Sequence, residues 1–297
     1  MSTTTRRDFF KSTSGALLGG SLALAGALPA LGDTDENSRQ ARMRLGLVTY
    51  NWGKNWDLPT VIANCAAAGF AGVELRTTHK HGVEITLNAD QRKEVARRFA
   101  DSSVVLTGLG SVCEYQSPDP AVLQKNIDET KAFVRLCHDV GGGGVKVRPN
   151  GLPADVPVEK TLEQIGRALR EVAQFGAEYG VAIRLEVHGQ GTSELPHIKT
   201  IMDVADHPNA YVCWNCNAID LQGAGLDHNF QLVADRINTV HIHDLRVDNY
   251  PWKHLFELLK GQQFSGWTLL EDGKIPKDIV GAMRENRDIW KRLAGGV

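Results

Sequence analysis

The run Arg184-Leu185-Glu186-Val187-His188 decides how the rest of the chain is read. In a β-strand successive side chains point to opposite faces, so Arg184, Glu186 and His188 share one side while Leu185 and Val187 take the other. Three ionisable groups on one face of an otherwise apolar strand need partners, because burying unpaired charge is costly. Candidate partners stand in three later runs, Trp214-Asn215-Cys216-Asn217, His241-Ile242-His243-Asp244 and Leu270-Glu271-Asp272, each at the end of a strand-like segment.

Outward from this run, strand-like and helix-like segments alternate. Before it come strands at Met43 to Thr49, Gly72 to Arg76, Val104 to Leu109 and Val145 to Pro149. Helices fall between them, from Leu58 to the stop at Gly69, from the cap cluster Asn88-Ala89-Asp90 through Phe99, over Pro120 to Val140, and over Val158 to Tyr179. After it come helices at Glu194 to Ala205, Asp227 to Ala234, Trp252 to Lys260 and Ile279 to Leu293, with strands at Tyr211 to Trp214, Ile237 to His243 and Gly266 to Leu270. Gly141 to Gly144 lead into a strand instead of following one and opening a helix, so they read as a turn and not as a phosphate cradle. Eight strand–helix units in roughly 250 residues fit an α/β fold of one kind, a single (β/α)8 TIM barrel. A doubly wound sheet would usually carry a Gly-rich dinucleotide fingerprint after its first strand, and none is present.

The chain has 297 residues and a formal net charge of −2, which lacks the basic footprint that phosphate-backbone binding requires and disfavours a nucleic-acid partner. Residues 1–32 read as a twin-arginine signal peptide: Thr5-Arg6-Arg7-Asp8-Phe9-Phe10-Lys11, a weakly apolar run from Gly15 to Leu31, and small residues at Ala30 and Gly32 suited to cleavage. Residues 33–42 are a linker and 43–297 the barrel. The apolar run is too short and Gly-rich for a comfortable membrane span, so the expected product is periplasmic or secreted with no stable span after processing. The five cysteines are too few and scattered for a disulfide framework. Cys213-Trp214-Asn215-Cys216 is formally a C-x-x-C, but it follows a strand, whereas the redox motif needs its first Cys at a helix N-terminus. These are expected to be structural cysteines, one of them facing the site.

In a TIM barrel the active site lies at the C-terminal ends of the strands, and the polar residues fall there. Tyr50 and Trp52 end strand one, Glu74 and Arg76 strand two, Lys146 and Arg148 strand four, and Glu186 and His188 strand five. Asn215 and Asn217 end strand six, His241 and His243 strand seven, and Glu271 strand eight. Within each pair the spacing of two lets both members face the interior. Two carboxylates and an imidazole converging there call for a cation. A divalent metal held by Glu186, His243, Glu271 and an oxygen ligand from strand six meets that need, and a mixed O/N shell suits Mn²⁺, Mg²⁺, Co²⁺ or Zn²⁺. A buried ion-pair network using Lys146, Arg148 and Arg184 meets it equally. His243, nearer the strand end, is the favoured ligand, with His241 behind it.

The mature chain resembles the xylose-isomerase-like TIM-barrel superfamily of sugar isomerases and epimerases, which also contains endonuclease IV-type enzymes. The resemblance rests on Gly72-Val73-Glu74-Leu75, Glu186-Val187-His188, His241-Ile242-His243-Asp244 and Leu270-Glu271, and above all on their order along the strands. It implies that Glu186, His243 and Glu271 are metal ligands and that the two glutamates handle the proton next to a substrate carbonyl. Asn215 stands where the family usually has a metal-binding Asp; an amide oxygen ligates a hard cation as a neutral donor, so affinity drops. The expected function is an exported metal-dependent sugar isomerase or epimerase with Glu186 and Glu271 as acid–base pair. Trp52, Glu74, Lys146, Arg148 and His188 are its expected substrate contacts. Packing at the rim explains Trp52, and charge compensation Lys146 and Arg148, equally well. A lyase or hydrolase of 3-keto-glycosides on the same site, and a non-catalytic carbohydrate-binding barrel, are the alternatives. The sequence is compatible with a homo-oligomer.

Overall fold

The computed structural model describes residues 43–295. The twin-arginine pattern and the linker lie outside the described residues. Eight parallel strands close into a barrel in the order β1 to β8, every strand pairing with its sequence neighbours and β1 with β8. They are β1 (Arg44–Val48), β2 (Gly72–Arg76), β3 (Val105–Glu114), β4 (Gly144–Arg148), β5 (Ala182–Glu186), β6 (Ala210–Asn215), β7 (Ile237–Ile242) and β8 (Trp267–Leu270). The helices are α1 (Leu58–Ala68), α2 (Ala89–Ala100), α3 (Pro120–Asp139), α4 (Val158–Glu178), α5 (Leu195–Ala205), α6 (Gly225–Gln231), α7 (Trp252–Gly261) and α8 (Ile279–Ala294). Among the described residues no helix is long and apolar enough to cross a membrane.

Local chemistry fixes the helix ends. The Asp57 side chain accepts from the Thr60 N–H at 3.0 Å to open α1, and Gly69, at φ 75°, closes it in a left-handed conformation that a side chain would disfavour. Asn88 and Gln91 cap α2 reciprocally. The main core lies between strands and helices, where outward-facing residues such as Leu47, Val73, Val145, Ile183, Leu185 and Val212 are fully buried.

Two segments differ from the sequence expectation. The third strand does not end at Leu109 but continues through a register shift to Glu114. Gly108 and Gly110 lie within the strand, against the Arg184 and Glu74 side chains. The expected helix at Asp227 to Ala234 is displaced toward the N-terminus as α6, and the chain then makes a short 3-10 turn at Ala234–Arg236.

The barrel interior is closed at its N-terminal end. The Arg184 guanidinium lies across it, donating to the Thr107 carbonyl at 3.0 Å and to Asn238 Oδ1 at 2.8 Å. A Cβ on Gly108 would fall 2.8 Å from Arg184 Nη1, and one on Gly144 2.7 Å from its Cζ, so only glycine leaves that path open. Beside it the Trp267 ring fills the space opposite Gly72, with the Arg44 guanidinium 4.2 Å from its centroid.

Candidate active site

Above that floor, side chains from six strands meet inside the barrel. Strand pairing sets their depth: Lys146 stands level with Arg184 across β4 and β5, Glu186 with Cys213, and Asn215 with His241 across β6 and β7. Lys146 Nζ lies 2.7 Å from Glu186 Oε2, and both side chains are only 4% exposed. Asn215 Nδ2 donates to the other oxygen, Glu186 Oε1, at 3.1 Å. His241 Nδ1 lies 3.1 Å from Glu271 Oε2 and 3.7 Å from Glu186 Oε1, while its Nε2 faces Glu74 Oε1 at 3.5 Å.

Electrostatics follows from this packing. Burial opposes the charge on Glu186, but Lys146 and His241 outweigh it and hold the carboxyl well below the usual carboxylate range. Burial likewise works against the Lys146 ammonium, yet Glu186, Glu271 and Glu74 push its pKa up. His241 is raised well above an ordinary histidine, because Cys213, Glu271 and Glu74 overcome desolvation. At the mouth, His188 is drawn down chiefly by burial, with Glu186 opposing the shift. Its Nδ1 is 2.9 Å from Asn150 Oδ1. With Nδ1 protonated toward that acceptor, Nε2 is left to accept from a ligand.

Ligand atoms of Glu186, His241 and Glu271 all lie within 4.8 Å of one another, a spacing that could hold a metal ion. The donor set suits a divalent cation: two carboxylates, an imidazole and, beside them, the buried Asn215 Oδ1, which has no hydrogen-bond partner. Lys146 shares the same carboxylate, so an ion binding Glu186 does so next to an ammonium.

The histidine in this group is His241, whereas sequence analysis favoured His243. His243 instead directs Nδ1 to the Glu271 carbonyl at 2.6 Å and packs edge-on against Trp252. Asn215 reaches the cluster, while Asn217 turns its backbone N–H to Asp220 and its amide to the Asn215 carbonyl. Of the expected substrate contacts, Lys146 is in the cluster and His188 at the mouth. Trp52 is 2% exposed, donates its indole N–H to the Lys274 carbonyl at 2.8 Å and lies under Arg246, so it packs the rim. The half-buried Tyr50 is the aromatic left at the mouth, beneath the Arg76 guanidinium. Glu74 lies entirely below the mouth, with no exposure. Arg148 is paired with Glu114, a residue sequence analysis did not single out. The alternation Ser111-Val112-Cys113-Glu114 was the signal that could have extended β3 far enough to find it.

All five cysteines are buried and free, and burial raises Cys216 well above a typical thiol. Below the β6 loop, Asp220 is buried and accepts from the Asn217 N–H and the Tyr250 hydroxyl, both at 2.9 Å. Desolvation nonetheless pushes its pKa up to about 7.

Among curated proteins, none matches the chain. Solved structures share its fold. An L-ribulose 3-epimerase is 17% identical, with a TM-score of 0.73 over 85% of this chain and 95% of that one. The IolI protein with a bound zinc atom is 18% identical, with a TM-score of 0.72 over 85% and 98%. The 3-keto-D-glucoside 4-epimerase YcjR from E. coli is 14% identical, with a TM-score of 0.71 over 84% and 99%. A family model described as xylose isomerase-like TIM barrel matches residues 62–293, from the first helix to the last, and the chain belongs to that family.

Proposed function

We propose that the protein is a metal-dependent isomerase or epimerase of a sugar or sugar-like polyol, working by proton transfer at the carbon next to a carbonyl. The observation that carries this reading is the convergence of Glu186, His241 and Glu271 inside the barrel mouth. The sugar epimerases among the structures with the same fold support it. A divalent ion bound by Glu186, His241, Glu271 and the Asn215 amide oxygen would polarise the carbonyl and hydroxyl oxygens of the substrate.

The chain's own residues divide the remaining work. Glu186, held ionised by Lys146, is the base that takes the proton from the carbon next to the carbonyl. Glu271, 12% exposed and the more accessible carboxyl, takes a proton from solvent and in its protonated form delivers it to the opposite face. The Lys146 ammonium keeps positive charge beside the oxygen on which negative charge develops, in a site from which water is largely excluded. His188, fixed by Asn150, presents Nε2 to a substrate hydroxyl. The twin-arginine pattern supports an activity outside the cytoplasm, on free sugars or oxidised glycosides.

The test is solvent exchange. Purified protein with Mn²⁺ is incubated in deuterated water with ketohexoses and 3-keto-glucosides, and products are followed by NMR. Deuterium at the carbon next to the carbonyl of an isomer supports the reading. Release of an aglycone would replace it with a lyase, and the absence of both across the panel would sink it.

A further inference from the structure

Glu74 is the most costly side chain in the molecule to explain. It sits on β2 with no exposure, and neither carboxylate oxygen has a hydrogen-bond partner. Burying a carboxylate is costly, and here the nearby charges of His241, Lys146 and Arg184 offset that cost without a hydrogen bond to either oxygen. Directly opposite stands a second unpartnered atom, His241 Nε2, also fully buried, 3.5 Å from Glu74 Oε1. Arg184, the cation of the barrel floor, does not relieve Glu74 by hydrogen bonding, since it donates to Thr107 and Asn238. The wall on the other side is cut away for this carboxylate: a Cβ on Gly110 would lie 2.9 Å from Glu74 Oε1. Two unpartnered atoms thus face each other at 3.5 Å, with a glycine leaving room for the carboxylate on its far side.

We infer that Glu74 is a positioning residue, accepting the Nε2–H of His241 and so committing the other nitrogen, Nδ1, to the site shared by Glu186 and Glu271. Both ring nitrogens face a carboxylate, but a cation at Nδ1 takes that nitrogen's lone pair and leaves the ring proton on Nε2, where a carboxylate behind the ring fixes the tautomer and makes Nδ1 a better donor to the cation. Nδ1 is the nitrogen that points at the two glutamates, 3.1 and 3.7 Å away. Glu74 therefore acts on a bound metal through His241 and does not touch substrate. The inference rests on reading Glu186, His241 and Glu271 as a metal site, and its test separates the two.

Mn²⁺ is titrated calorimetrically into the wild-type protein and the Glu74→Gln, Glu74→Ala, Gly110→Ala and His241→Ala variants, and the visible absorption of each Co²⁺ complex is recorded. The expected result is a loss of Mn²⁺ affinity of about 10- to 100-fold in Glu74→Ala and a smaller loss in Glu74→Gln, which keeps an acceptor oxygen. Gly110→Ala, which keeps the carboxylate but displaces it, should fall between wild type and Glu74→Ala. The Co²⁺ bands should shift in all three, a signature that loss of packing alone does not produce. If His241→Ala abolishes binding while both Glu74 variants and Gly110→Ala keep wild-type affinity and spectra, the positioning role is wrong and the metal site stands. If the wild-type protein takes up neither Mn²⁺ nor Co²⁺, both fall. Should the Glu74 variants fail to fold, Gly110→Ala decides the matter on its own, because it removes no ionisable group and only shifts the Glu74 carboxylate.

Discussion

The two sides of the barrel interior are made of opposite materials. From β8 to β1 the inward residues are Trp267, Leu269, Val48 and Tyr50, a small apolar cluster of its own. From β4 to β7 they are Lys146, Arg184, Glu186, Asn215 and His241, all buried. The apolar side gains by excluding water and is non-directional, so it tolerates adjustment. The charged side is stable only as a set, since removing one partner leaves another buried and alone. The wedge of β8 and β1 thus lowers the local dielectric against which the charges of β4 to β7 act.

The largest effect should come from the charged side. Under the proposed function, Glu271→Gln should cost about 10²- to 10⁴-fold in turnover, the usual contribution of a general acid or base, with the fold intact by circular dichroism. Turnover within tenfold of wild type would remove Glu271 from the chemistry. Next, Lys146→Met should destabilise the protein by about 3 kcal/mol in urea unfolding at neutral pH, because Glu186 is left charged with only the Asn215 amide and the more distant His241 to offset it. The pH dependence has a definite sign. Glu186 is held below the usual carboxylate range, so the pair contributes above that range and the contribution fades as pH falls through and below it. The gap between wild type and Lys146→Met should accordingly narrow in acid. On the apolar side, Leu269→Ala should cost about 2–5 kcal/mol through lost burial and a cavity, with little dependence on pH. A pH-dependent loss there would blur the contrast between the two sides.

A further effect, one of slope with pH, lies outside the barrel strands at Asp220. Its pKa is pushed up to about 7 in the fold, above the 3.8 of an ordinary aspartate. Stability from this group is therefore fully present below the unfolded pKa and is lost as pH rises toward 7, at no more than about 1.4 kcal/mol per pH unit. Asp220→Asn removes the titration, so its stability should fall less steeply than wild type's between pH 4 and 7. Parallel profiles in thermal melts at several pH values would refute this.

The alternation of strands and helices made the barrel legible, because strands buried on both faces and amphipathic helices have different periods. Depth within the barrel was not legible. His241 and His243 share a face by the period of two, and nothing in a single strand says which stands level with Glu186. That is set between strands, by the register that puts His241 opposite Asn215 on β6 and Leu269 on β8. The end of β3 was not legible for a related reason: the expected strand stops at Leu109, while Gly108 and Gly110 continue it and make room for Arg184 and Glu74, which arrive from elsewhere in the sequence. Trp52 read equally well as a stacking face and as packing, and only the Lys274 carbonyl and Arg246, far along the chain, distinguish the two.

Arg184 and the Trp267–Arg44 stack have a kinetic consequence. With the barrel stopped at its N-terminal end, a molecule resting on Glu186 and Glu271 leaves by the mouth through which it came. Under the proposed function, substrate and product share that one opening, and an accumulating product should act as a competitive inhibitor.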